Sequence, residues 1–219
     1  MIKLILADDH AVTRKGIKTI IEQDSEINVI KEVSNGKELL DYLLESKSLP
    51  DIIMLDLEMP VMDGPKIINL LHEKFPNIKI IIFSLLHEPD IVINMISKGA
   101  SGFISKSEDI SHLAEAIKDV YTTGHYFGEL VKKEYFNVHV KNKDKDGFTG
   151  RQILSSREVE FIKIAASNLT YPEIALQMNL SIKTIENYRD SLFQKLEINN
   201  RPALILFGVR NGIIPISNN

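Results

Sequence analysis

The 219-residue sequence contains no cysteine. That absence excludes disulfides, thiolate metal sites and cysteine nucleophiles together, and it fits a reducing compartment. Long apolar runs are missing too. None approaches the roughly 18 residues of a membrane-spanning helix. The start, Met1-Ile2-Lys3-Leu4, enters a strand pattern directly, without a signal-peptide layout. The expected location is therefore the cytoplasm, with no membrane partner. The six histidines show no metal-ligand spacing, so all are expected to be structural or exposed, and no internal repeat is visible.

What remains is an ordinary globular composition, 44% apolar and 26% charged, with a net charge of −4. The charge is unevenly spread. Residues 151–219 hold 8 Lys and Arg against 6 Asp and Glu, a net of +2, which leaves −6 for the first 150. An acidic front and a mildly basic back suggest two modules with different partners, nucleic acid being one candidate for the second.

Apolar runs of strand length recur at Lys3–Ala7, Ile27–Val33, Ile52–Leu55, Lys79–Phe83 and Gly102–Ile104. Segments of helical period lie between and after them at Ala11–Gln23, Gly36–Ser46, Pro65–Lys74, Ile91–Lys98 and Ser107–Thr123. Such alternation predicts an α/β fold, a doubly wound five-stranded parallel sheet with helices on both faces, over residues 1–123. Asn35-Gly36, Asp63-Gly64, Gly99 and Gly102 punctuate it as candidate turns. Residues 124–150 form a linker. Its run Lys141-Asn142-Lys143-Asp144-Lys145-Asp146-Gly147 has no apolar anchor, and Leu130–Val140 is a candidate short helix before it. Residues 151–219 are helical throughout. Ser155 with Glu158 and Thr170 with Glu173 have capping-box spacing, Ser181 opens a third helix, and Pro202 lies near the start of a fourth. Four short helices make a small bundle.

Charged groups stand where strands should stop. Asp8 and Asp9 follow the first run, Asp56 the third, and Lys106 the fifth. In a parallel sheet that carboxyl edge is where ligands and chemistry collect. Three converging carboxylates repel unless a cation joins them, so the pattern implies a bound divalent metal with Lys106 as a fixed ammonium beside it. This is a phosphoryl-handling site. Each residue also has a plainer reading: Asp56 as a strand-end cap, Asp8 and Asp9 as helix caps, Lys106 as a solvated side chain, Ser84 as a cap and Phe103 as core.

Taken in order, Asp8-Asp9, Met54-Leu55-Asp56-Leu57-Glu58-Met59-Pro60, Asp63-Gly64, Ser84, Gly102-Phe103 and Lys106 resemble the receiver domain of two-component response regulators. The resemblance covers residues 1–123 and implies a flavodoxin-like fold. It implies that Asp56 accepts a phosphoryl group from a sensor histidine kinase. Asp8, Asp9, Asp56 and the carbonyl of Glu58 would hold Mg²⁺, Asp8 through water. Lys106 would pair with the phosphoryl group, Ser84 would offer it a hydroxyl, and Phe103 would change rotamer with it.

The C-terminal residues resemble the LuxR-type helix-turn-helix of NarL/FixJ regulators. The text that carries this is Leu154-Ser155-Ser156-Arg157-Glu158, Pro172-Glu173-Ile174-Ala175, Leu180-Ser181-Ile182-Lys183-Thr184-Ile185, Lys195-Leu196-Glu197-Ile198-Asn199-Asn200-Arg201 and Gly212-Ile213-Ile214. Ala175 would allow close helix approach, Asn179 suits the left-handed corner of the turn, and Ser181 can cap the recognition helix. The resemblance implies contacts to double-stranded DNA from Lys183, Thr184, Glu186, Asn187, Arg189 and Lys195. Tyr188 takes the family's usual His position. Glu186 and Asp190 depart from the family, which often carries basic residues on this face; a carboxylate can accept from cytosine N4 but repels the backbone. The implied whole is a transcription regulator, not an enzyme, that dimerises on phosphorylation or on DNA. The alternatives are a phosphate-independent DNA-binding regulator whose receiver serves only protein interaction, and a helical tail that dimerises without touching DNA. A haloacid-dehalogenase-like phosphatase fits poorly, because it needs Asp-x-Asp on an early strand where this chain has Asp56-Leu57-Glu58 on the third.

Overall fold

The computed structural model describes residues 1–60, 64–86, 89–127, 154–211 and 213–214. The chain divides into two compact units, Met1–Gly128 and Glu129–Asn219. Asp63, most of the expected linker with its Leu130–Val140 helix, and Gly212 lie outside the described residues.

The first unit alternates β1 (Ile2–Ala7), α1 (Ala11–Ile21), β2 (Ile27–Val33), α2 (Gly36–Glu45), β3 (Ile52–Leu55), α3 (Gly64–Lys74), β4 (Lys79–Ser84), α4 (Pro89–Ser97), β5 (Gly102–Ser105), α5 (Leu113–Thr123) and β6 (Tyr126–Phe127). All neighbouring strands pair parallel in the order β2-β1-β3-β4-β5-β6. The expected five strands are present, and β6 extends them by a two-residue pairing, Gly102 opposite Tyr126 and Phe103 opposite Phe127. The sheet thus continues a few residues past the expected boundary at 123.

The strands are apolar on both faces because both are covered. Leu4, Leu6, Met54, Ile81, Phe83 and Ile104 pack with Ile17 and Ile21 of α1 and Ile117 and Val120 of α5. The alternate residues Ile5, Ile53, Leu55, Ile80, Ile82 and Phe103 are equally buried, as are Leu39, Ile67, Ile68, Met95 and Ile96 of α2 to α4. Each buried Leu or Ile contributes roughly 1.5–3 kcal/mol by leaving water.

Local differences from the sequence expectation have local causes. Asn35 is not a turn residue but the N-cap of α2, its side chain accepting from Glu38 N. The helix expected from Ser107 starts late: Asp109 caps a single 3-10 turn, Ile110–His112, before α5 begins at Leu113. Gly102 is a strand residue rather than a turn. A Cβ there would stand 3.1 Å from Tyr126 O and 3.3 Å from Val120 Cγ2, so glycine lets β6 and α5 close in. Gly99 does turn the chain, with φ +118°.

The second unit holds α6 (Ser156–Ala165), α7 (Tyr171–Gln177), α8 (Ile182–Leu196) and α9 (Arg201–Arg210). Both capping boxes form, Ser155 with Glu158 and Thr170 with Glu173, and Ser181 caps α8 by accepting from Thr184 N. Asn179 takes the left-handed corner between α7 and α8 at φ 54°. Phe161, Ile162, Ile174, Ala175, Ile185, Leu192, Leu196 and Leu204 form the core.

Candidate functional site

Main-chain hydrogen bonds carry the sheet ladder one residue past its strands and so fix the site. Asp8 N donates to Val33 O, Asp56 N to Ala7 O at 2.8 Å, and Lys106 N to Ser84 O at 2.9 Å. The side chains that follow converge at the carboxyl edge. Lys106 Nζ donates to Asp56 Oδ2 at 2.6 Å and to Asp8 Oδ2 at 2.8 Å. The other oxygens are also engaged: Asp8 Oδ1 accepts from His10 N at 2.7 Å, and Asp56 Oδ1 from Glu58 N at 3.2 Å. Asp8 and Asp56 are buried. Burial alone would lower the pKa of Lys106, but its bonds to Asp56 and Asp8 outweigh that and hold it above the ordinary lysine value.

Asp9 behaves differently. Its Oδ1 is shut off from solvent and makes no hydrogen bond, although His10 Nδ1 lies 2.8 Å away. One ligand atom each from Asp8, Asp9, His10 and Asp56 falls within 4.8 Å of the others. Two buried carboxylates beside a partly exposed one with an unsatisfied oxygen make a hard oxygen donor set suited to a divalent cation. His10 was not expected here. Its position directly after Asp9, at the N-cap of α1, was the available signal.

Ser84 is fully buried at the end of β4, its Oγ accepting from Leu86 N at 3.1 Å. The register carries it beside Lys106. Phe103 is buried within the sheet, and Glu58, two residues after Asp56, is exposed. Arg14 reaches the same region, donating through Nη1 to the carbonyl of Asp8, with Nε 3.5 Å from Glu32.

In the helical unit, Lys183 and Asn187 are exposed on α8. Lys183 lies 3.4 Å from Glu186, a loose pair between exposed groups. Thr184 Oγ1 is 2.8 Å from the capping hydroxyl of Ser181. Arg189 Nε donates to Asp190 Oδ1 at 2.8 Å, and its guanidinium lies over the Tyr171 ring. Tyr188 stacks on Phe161, so it packs.

Compared with known proteins, residues 4–118 match the response regulator receiver domain, and residues 152–207 match the bacterial regulatory proteins of the luxR family. This chain is a response regulator. The regulator is 29% identical over 213 residues to the response regulator protein VraR of Staphylococcus saprophyticus, covering 97% of this chain and 99% of the relative. It is 27% identical over 216 residues to the oxygen regulatory protein NreC of Staphylococcus carnosus, with the same coverage. Among solved structures, the Salmonella typhimurium RcsB response regulator is similar with 27% identity and a TM-score of 0.59, over 94% of this chain and 97% of that one. RcsB from Salmonella enterica serovar Typhimurium bound to promoter rprA in the presence of phosphomimetic BeF3⁻ matches with 26% identity and a TM-score of 0.55, over 93% and 96%.

Two basic residues of the regulator's helical unit serve its fold. Lys195 donates to Glu158 at 3.0 and 3.1 Å, which ties the C-terminal end of α8 to the N-terminus of α6. Its ammonium is thereby engaged within the domain, not offered freely as the family motif implies. Arg201 is buried and donates to the carbonyls of Ala165, Ser167 and Leu169, closing the end of α6 and the loop after it. No sequence pattern flagged that second role, because its partners lie 32 to 36 residues away.

Proposed function

We propose that Asp56 accepts a phosphoryl group from the phosphohistidine of a sensor histidine kinase, and that this modification governs DNA binding by α8. The observation that carries the reading is the Asp8–Asp56–Lys106 cluster at the sheet edge. An aspartate attacks phosphorus well only when charge repulsion is managed. A Mg²⁺ held by Asp8, Asp9, Asp56 and the Glu58 carbonyl would supply that screening and orient the phosphoryl oxygens when bound. The Asp56 carboxylate forms the new P–O bond as the P–N bond to histidine breaks.

The product carries about 1.5 to 2 negative charges in place of the carboxylate's one, and it brings several strong acceptors. Lys106, now bridging two carboxylates, is within reach to pair with them, and Ser84 can donate its hydroxyl. Phe103 would follow that shift, carrying the change to the surface. The regulator turns over no metabolite in this reading.

The phosphorylated regulator would dimerise and bind double-stranded DNA in the cytoplasm, with α8 in the major groove. The neighbouring structures support this, one described as two RcsB dimers bound to two parallel DNAs. Lys183, Thr184, Glu186, Asn187 and Arg189 are the proposed contacts, with Lys195 contributing only if it leaves Glu158. Linking two small modules raises effective concentration at paired half-sites, which a domain of net +2 needs. The test compares the full chain with and without a small phosphodonor and Mg²⁺, by light scattering and by binding to duplexes selected from random sequence. A dimer and tighter binding after treatment are expected. Identical behaviour in both states would contradict the reading.

A further inference from the structure

We propose that Asp190, although acidic and on the helix that reads DNA, strengthens DNA binding by holding Arg189 in position to grip a backbone phosphate. The proposal rests on the reading of α8 as a DNA-contacting helix. Charge counting gives the opposite sign, since a carboxylate beside DNA repels phosphates. Geometry decides between them.

Asp190 Oδ1 accepts from Arg189 Nε at 2.8 Å. The Arg189 guanidinium lies 5.3 Å from the ring centroid of Tyr171, the first residue of α7. Tyr171 is itself held firmly. Its ring stacks on Phe161 at 6.5 Å, and a second guanidinium, that of Arg201, lies 5.3 Å from its centroid. Arg201 cannot swing away, because three main-chain carbonyls fix it. The Arg189 guanidinium thus sits against a well-packed ring on one side and a carboxylate at its Nε edge.

An arginine fork binds phosphate through parallel N–H donors, and its strength depends on holding that plane. Asp190 takes Nε and leaves both terminal nitrogens outside the ion pair. The Arg189 side chain is 29% exposed and that of Asp190 62%, so the guanidinium packs along its body while its pair opens to water. At such exposure the Asp190 charge is screened and repels DNA weakly. Losing an oriented guanidinium costs more than removing a screened charge gains. Glu186 offers no parallel, because its contact to Lys183 is long and joins a flexible point charge.

The test uses the full chain treated with phosphodonor and Mg²⁺, a labelled mixed-sequence duplex, and fluorescence anisotropy over a salt series. Asp190→Asn should weaken binding roughly three- to tenfold and make the log–log salt slope shallower by up to about 0.9, the loss of one phosphate contact. Asp190→Glu, which keeps the carboxylate, should restore most of both. In an Arg189→Ala background, Asp190→Asn should no longer weaken binding. Tighter or unchanged binding by Asp190→Asn overturns the proposal, as does equal weakening in both backgrounds. Failure of the unaltered chain to bind any duplex would instead overturn the DNA-binding reading, and the proposal with it.

Discussion

Lys106 Nζ lies 2.6 Å from Asp56 Oδ2, a contact that joins the ends of two strands across fifty residues of chain. Because the same ammonium reaches Asp8, one cation keeps two buried carboxylates from repelling each other.

Replacing that ammonium with an apolar group should therefore destabilise the receiver. Lys106→Met is expected to cost about 2–4 kcal/mol in metal-free buffer, somewhat under the full penalty for breaking a buried pair, because the Lys106 side chain is 13% exposed. Urea denaturation measures it. Excess Mg²⁺ should recover part of the loss by supplying a replacement charge, and recovery should be greater in the variant than in the wild type.

The helical unit should lose stability in acid through Glu158. Burial alone would raise its pKa, but the Ser155 N–H and the Lys195 ammonium outweigh that and hold it below the ordinary 4.5. A depressed carboxyl contributes stability that is present above its unfolded value and lost as pH falls through the folded one. Stability should thus be flat through neutrality and decline below about pH 4.5. Glu158→Gln keeps an acceptor for the cap yet breaks the pair with Lys195. It should lower neutral-pH stability by about 1 kcal/mol and flatten the acid decline, as measured by thermal unfolding across pH.

Much of this was legible in the sequence where the cause is local. Capping boxes, the Ser181 cap and the left-handed Asn179 each depend on neighbours within a few residues, and the structure has them all. The βα alternation was equally plain, since covered parallel strands are apolar throughout. The acidic site could be found because a parallel sheet brings its strand ends to one edge. What escaped depends on distant partners. Lys195 carries a phosphate-contact pattern but finds Glu158 37 residues away, Arg201 finds three carbonyls on another helix and loop, and β6 forms because Gly102 admits it.

Glu197, by contrast, is a local feature that no sequence pattern flagged. It ends α8 in the left-handed region at φ 54° and ψ 39°, a conformation that costs a side-chain-bearing residue roughly 1–2 kcal/mol. Glu197→Gly should stabilise the helical unit by about 1 kcal/mol, offset in part by the greater freedom of the unfolded chain. Chemical denaturation of the full chain, following the helical signal, checks the sign.

The most direct test of the account is whether Asp56 becomes phosphorylated. The full chain and its Asp56→Asn variant would be treated with a small phosphodonor and Mg²⁺, then weighed intact. A gain of one phosphoryl group is expected in the wild type alone. No gain in the wild type, or an equal gain in the variant, would contradict it.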